Sequence, residues 1–311
     1  MIKFILAVVL LVLFACSGTF SEDKKEESFK KEDASHFFWK VSDENSSVWL
    51  LGSIHFADSS FYPLDSVIET AFVNAEELAV EINVENDSVE SEVSRQSLDR
   101  GSLPSGKLLN EILPRAVWTS LDSICTAWNF PVNGILHLKP WLAAMTLSVV
   151  AIQRAGIDPT LGIDVVLLDR AAMDGKAIVS LESAEEQIGA LADTSESDSS
   201  GIYYLKSTLR EISELDSMVA QMIRAWKTGD EDLLRRVMNQ SSAENETEKT
   251  IESEIEKKVY TNRNAKMTDA VAQFLREDRN VFVVVGVAHL ALDDDSVVGQ
   301  LKRRGYTVER F

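Results

Sequence analysis

Apolar and polar residues fall into blocks along this chain, and the block lengths predict its elements. Residues 37–41 and 48–51 are short apolar runs, the second ending at Gly52, and they predict partnered strands. Residues 78–82, 177–181 and 281–285 are equally short, rich in β-branched residues and bounded by turn residues. That pattern suits central parallel strands, which are buried on both faces. Residues 306–308, after Gly305, predict a last strand. Helical spacing covers residues 65–73, then most of the middle: 141–155, 161–173, 185–192, one long helix over 202–226, 231–238 and 249–276. Residues 195–200 and 241–248 are polar and predict loops. The expected fold is α/β, a mainly parallel central sheet flanked by helices with a large helical middle section.

The N-terminus reads differently. Lys3 precedes an unbroken apolar run of eleven residues, 4–14. A membrane-spanning helix needs about 20 apolar residues, so this run is short for a span and suits a secretory signal peptide. Leu13-Phe14-Ala15-Cys16 at its end resembles the lipobox of bacterial lipoproteins, in which the Cys carries the lipid. The expected organisation is a lipoprotein signal peptide over residues 1–15, a flexible tether over 16–35 and one α/β domain over 36–311. Residues 21–33 are mixed in charge and poor in apolar side chains, which suits a tether.

Composition narrows the function. Fifty acidic residues against 31 basic give a formal charge of −19. Nucleic-acid affinity comes largely from Lys and Arg on phosphates, so a nucleic-acid partner is not expected. Two cysteines, Cys16 and Cys125, exclude a disulfide framework. Cys125 lies in an apolar helical stretch and reads as core, as do Trp39, Trp49, Trp128, Trp141 and Trp226. His137, before Lys139-Pro140-Trp141, reads as structural.

The candidate chemistry comes from a local echo. Val48-Trp49-Leu50-Leu51-Gly52-Ser53-Ile54-His55 and Val281-Phe282-Val283-Val284-Val285-Gly286-Val287-Ala288-His289 are each an apolar strand, a Gly, two spacers and a His. They hold half of the chain's four histidines. Ligands of open α/β sheets bind beyond the carboxyl ends of the strands. A Gly there lets backbones approach closely. Two such strands side by side bring two imidazoles together. Glu81 stands inside an otherwise apolar strand, where a carboxylate is costly unless paired or bound to metal. Two imidazoles and a carboxylate leave coordination positions open for water, as a catalytic metal site does.

The ordered series of GxxH, Glu and GxxH resembles the TraB/PrgY/GumN/Tiki family, the bacterial GumN-type branch most nearly. Further matches are Phe38-Trp39-Lys40-Val41, Tyr62-Pro63-Leu64, Gly162-Ile163-Asp164, Ser180-Leu181-Glu182, Arg263-Asn264 and Gly305-Tyr306-Thr307-Val308. The resemblance implies a metal-dependent peptide-bond hydrolase in which His55, Glu81 and His289 hold a divalent metal: manganese, cobalt, iron or zinc. Glu81 either ligates the ion or orients the water, and Arg263 stabilises the developing oxyanion. Asp164 and Glu182 match family positions without an assigned role. The resemblance departs after the second His-Leu pair, where Ala291-Leu292-Asp293-Asp294-Asp295 follows. A more acidic pocket rim is expected there, with Asp295 capping the next helix ahead of Ser296. The expected substrate is a peptide or protein. The expected location is the bacterial envelope, lipid-anchored through Cys16 to the membrane, in the outer membrane facing the periplasm or the surface. The alternative is a non-catalytic envelope protein that binds or sequesters a peptide, a metal or a haem-like ligand.

Overall fold

The computed structural model describes residues 36–192 and 198–311. The segments expected as signal peptide and tether, Cys16 among them, and the first part of the polar stretch 195–200 lie outside the described residues. The described residues hold six strands: β1 Phe38–Ser42, β2 Ser47–Ser53, β3 Glu77–Val80, β4 Ala177–Ser180, β5 Val281–Gly286 and β6 Thr307–Arg310. They form one sheet in the order β4-β3-β5-β2-β1-β6. The β1–β2 and β1–β6 pairs are antiparallel, and the β2–β5, β5–β3 and β3–β4 pairs are parallel. Connection length explains the division. β1 turns into β2 within four residues, where Asp43 Oδ1 accepts the amides of Asn45 (3.1 Å) and Ser46 (2.8 Å). Parallel neighbours require crossovers, and helices such as Ser66–Asn74, Ile163–Met173 and Asn262–Arg276 supply them.

The apolar runs sort by position in the sheet. β5 is buried at every residue, as a strand covered on both faces should be. β4 has the same kind of sequence but is half exposed, because it lies at the edge and pairs only with β3. The expectation of a central strand there is corrected. β3 stops at Val80, so Glu81 stands just beyond the strand rather than within it. Trp39, Trp141 and Trp226 are buried, Trp49 and Trp128 pack against the core partly exposed, and Cys125 is 1% exposed.

Two helices depart from their sequence pattern. The stretch expected as one helix over 202–226 is divided into Asp198–Ile212 and Leu215–Thr228. At the break Ser213 Oγ donates to the Arg210 carbonyl (2.7 Å), and the Ser213 amide bonds the same carbonyl. A hydroxyl competing for a helix carbonyl interrupts the ladder. The stretch 249–276 is helical, but Glu246–Glu256 passes into a π-helical turn, Lys257–Thr261, before Asn262–Arg276. Within it Glu252 is buried and accepts a hydrogen bond from Ser241. The expected cap is also displaced: Ser296, not Asp295, caps Val297–Arg303, its Oγ accepting the Gly299 amide at 3.1 Å. No helix among the described residues is long and apolar enough to cross a membrane.

Candidate functional site

β2 and β5 are adjacent parallel strands, with Gly52 opposite Val285 and Ser53 opposite Gly286. The two GxxH turns therefore leave the sheet side by side, and their glycines interlock. A Cβ on Gly52 would lie 2.9 Å from Val287 Cγ2 of the second turn. A Cβ on Gly286 would lie 3.2 Å from His55 Nε2 of the first turn and 3.3 Å from Glu81 Oε1. Neither glycine has a positive φ. Each is required for close approach rather than for a bend.

His55, Glu81 and His289 are thereby brought together. His289 Nε2 is 3.8 Å from Glu81 Oε1. All three are buried, at 9%, 4% and 4% exposure. Each imidazole is held through its other nitrogen. His55 Nδ1 lies 3.0 Å from Asp164 Oδ1, in the first turn of Ile163–Met173. Gly162 lets that helix close on the turn, since a Cβ there would meet the His55 carbonyl oxygen at 2.8 Å. His289 Nδ1 lies 2.6 Å from Asn264 Oδ1. The Asn264 amide is oriented by its Nδ2, which donates to the Asp295 carbonyl at 3.1 Å. Both partners therefore accept from Nδ1–H, which leaves each Nε2 with its lone pair. Orientation of this kind is what metal-ligating and proton-accepting histidines need.

Glu81 is itself tightly held. Its Oε1 accepts the Gly286 amide at 2.7 Å, and its Oε2 accepts Arg263 Nη2 at 2.7 Å. The same Nη2 donates to Glu182 Oε2 at 2.6 Å, and Arg263 Nε donates to Glu182 Oε1 at 2.9 Å. Glu182 leaves the end of β4 next to Glu81, its amide bonding the Glu81 carbonyl at 2.9 Å. The π-helical turn delivers Arg263 and Asn264 to this point. It also sets Tyr260 over His289, with ring centroids 5.5 Å apart. Wide turns of this type recur at functional sites.

Electrostatics separates the groups. Burial pushes the Glu81 carboxyl up, but Arg263, then His289 and His55, and the Gly286 amide outweigh it and hold it at about 2. Burial and then Arg263 hold His289 down at about 3, with Glu81 opposing. Burial also lowers His55, but the charge and hydrogen bond of Asp164 outweigh it, so His55 is raised above the ordinary imidazole value.

The residues suit a divalent cation by type and charge. Two imidazole lone pairs are available. Three buried carboxylates, Glu81, Asp164 and Glu182, share the centre with one partly buried guanidinium, which pairs with Glu81 and Glu182, a formal excess of two negative charges when both imidazoles are neutral. Such an excess is costly without a counter-ion. The groups do not form a finished cage: among the described residues no three His, Cys, Asp or Glu side chains close on a common metal position. Glu81 Oε1, which accepts the Gly286 amide, keeps a second lone pair on the side of the imidazoles. Arg263, expected to face an oxyanion, bridges two carboxylates instead. The expected acidic rim acts through its backbone, where the Asp295 carbonyl orients Asn264, while the Asp295 carboxylate pairs outward with Arg303 at 3.0 Å. A small pocket beside His55 is lined by Ser53, Glu81, Asp164, Val165 and Leu168, among others, and not by His289. Sequence reasoning assigned no role to Asn264, Ser53 or Tyr260; the signals were the place of Asn264 beside Arg263 in a matching stretch and of Ser53 inside the first GxxH turn.

The model of the TraB/PrgY/gumN family matches residues 37–310. "Uncharacterized protein YbaP" of Escherichia coli (strain K12) is 26% identical over 195 residues, which cover 61% of this chain and 69% of YbaP. The protein of the same name from Shigella flexneri matches with the same identity and coverage. No solved structure matches the chain.

Proposed function

The chain belongs to the TraB/PrgY/gumN family, and from that premise we propose that it is a metal-dependent peptide-bond hydrolase of the bacterial envelope, lipid-anchored through Cys16. One observation carries the reading. Two imidazoles, each tied at Nδ1 and open at Nε2, lie beside a buried carboxylate in a centre with excess negative charge. His55 and His289 would hold the ion, which when bound supplies Lewis acidity toward water and the peptide carbonyl.

The protein's own groups divide the remaining work. Asp164 and Asn264 keep both rings in the tautomer that offers Nε2. Glu81, ionised at about 2, is an anion throughout the physiological range, so it orients water or ligates rather than storing a proton. Arg263 holds Glu81 in place and offsets part of the carboxylate charge. The Gly286 amide fixes the other Glu81 oxygen.

The test is metal content and cleavage together. Purified protein loaded with manganese, cobalt, iron or zinc should retain the ion and cut members of a peptide library. His55→Ala and His289→Ala should each lose retention, and Glu81→Gln should lose cleavage. Equal metal in wild type and variants, with no peptide cut by any of them, ends the reading. A second reading draws on the engaged state of Glu81: a centre whose carboxylate is already bonded at both oxygens also suits a non-catalytic binding protein for a peptide, a metal or a haem-like ligand. Metal retention without cleavage would select it. For the anchor, Cys16→Ser should release the protein from membranes, and persistence there removes the lipid assignment.

A further inference from the structure

Two buried polar atoms beside His55 take no part in the network above. Ser53 Oγ has no hydrogen-bond partner, and neither has Asp164 Oδ2, the oxygen that does not hold His55. Ser53 is 1% exposed and Asp164 6%. Both residues line the same pocket, whose cavity volume is ≈ 10 Å³. That is room for one water-sized group. The rest of the wall is largely aliphatic, with Val84, Val165 and Leu168 in it. Unpartnered polar atoms this deep are expensive, and their arrangement describes what would satisfy them.

A carboxylate oxygen only accepts, so the missing partner must donate. A hydroxyl can accept a second hydrogen bond from the same donor. Asp164 is a buried carboxylate whose Oδ2 has no partner, so a cation is favoured there over a neutral group. The partner is therefore small, cationic and a multiple donor. We infer that Ser53 and Asp164 form a subsite for a primary ammonium group, with the α-amine of a peptide's first residue as its source. The inference rests on the peptide-hydrolase reading for the identity of the substrate, not for the chemistry of the subsite. An α-amine is two bonds from its own carbonyl carbon. A peptide anchored at Asp164 therefore keeps its first carbonyl close to His55, whose Nδ1 bonds the other Asp164 oxygen. A lysine side chain offers the same ammonium from a different source.

Isothermal titration calorimetry on the full chain separates these cases. The probes are leucinamide, with a free α-amine; Nα-acetyl-lysinamide, with only a side-chain amine; and Nα-acetyl-leucinamide, with neither. Leucinamide should bind at least about 10-fold more tightly than Nα-acetyl-leucinamide. Asp164→Asn should weaken leucinamide by about 10- to 100-fold and Ser53→Ala by about 2- to 10-fold, with thermal melts of both variants confirming that they fold. Equal binding of leucinamide and Nα-acetyl-lysinamide supports the ammonium subsite and moves its source to a side chain. The inference is overturned if no amine binds and the pocket takes water alone, if acetylation of leucinamide makes no difference, or if both variants bind as the wild type does. Amine binding without cleavage leaves the subsite standing while the hydrolase falls. Cleavage with no preference for a free amine does the reverse.

Discussion

The two GxxH turns share a sequence pattern and a place in the sheet, yet they hold their histidines in opposite electrostatic states. His55 follows β2 in an irregular turn and rests on a carboxylate, Asp164. His289 lies in a short helix, Val287–Ala291, and rests on an amide, Asn264. Both are buried, and burial alone would make both hard to protonate. The Asp164 partnership reverses that for His55, whereas His289 keeps it and is depressed further by Arg263. The motif therefore fixes where the backbones meet. The partner drawn from a distant helix fixes what each imidazole can do.

The sharpest way to break the comparison is to remove what both turns share. Arg263→Met would leave Glu81 and Glu182 buried without their common cation. Removing one partner of a buried ion pair costs about 3–5 kcal/mol. Chemical denaturation should show a loss of that size, and a loss under about 1 kcal/mol would mean that the carboxylates take up protons or water instead. The next effect tests the interlock. Gly52→Ala pushes a Cβ against Val287, and overpacking of this kind costs about 1–3 kcal/mol. Gly286→Ala is less crowded but faces His55 and Glu81, so it should disturb metal retention more than stability. Equal effects of the two substitutions on both measurements would show that the glycines are interchangeable.

How much of this was legible depends on the range over which each contact is decided. β5, the paired glycines and the two histidines could be read because strand length, β-branching and spacing are local. Glu81 was legible as a misfit, a charge in an apolar run, although the strand stops one residue before it. The edge position of β4 was not legible, because its residues resemble those of β5 and only the crossover order places it outside. Asp164 and Glu182 stood out through family resemblance alone, without their roles. The role of Asn264 was hidden for the same reason as the break at Ser213: a side chain's hydrogen bond to a particular partner leaves no periodic trace. Arg263 was expected to stabilise an oxyanion, and its pairing with Glu182 was not legible because sequence does not show that β4 delivers Glu182 beside it.

Acid titration sharpens the contrast, since the two histidines should act on stability with opposite signs. His289 titrates at about 3 in the folded protein and near 6.5 when unfolded. Between those values the unfolded chain binds a proton that the folded one refuses, so stability falls as pH drops from about 6.5 toward about 3, by up to about 1.4 kcal/mol per pH unit. Glu81, lowered to about 2, adds an acid loss below its ordinary carboxylate range. His55 is raised, so its contribution is fully present below about 6.5 and disappears as pH rises through its folded value. Denaturation of the metal-free protein across pH 4–8 should show His289→Gln flattening the acid limb and His55→Gln removing stability chiefly on the acid side. Identical profiles for the two variants would abolish the distinction.

The smallest effect is the most direct, because it exchanges the partners and leaves the turns intact. Asp164→Asn keeps an acceptor on His55 Nδ1 and removes its charge, at a cost of about 0.5–1.5 kcal/mol. Burial is the largest influence on His55 and Asp164 is what outweighs it, so His55 should fall below the ordinary imidazole value. Asn264→Asp is the reciprocal change, placing a carboxylate on His289 and raising it. Imidazole Cε1–H resonances followed against pH give both values in one titration of each variant, with its melt read alongside. If His289 stays depressed in Asn264→Asp, then burial and Arg263 set its state, and the difference between the turns lies in their surroundings. If the two values cross, the partner residue is the switch, and the centre could be built with its roles reversed by two substitutions that differ only in an amide and an acid.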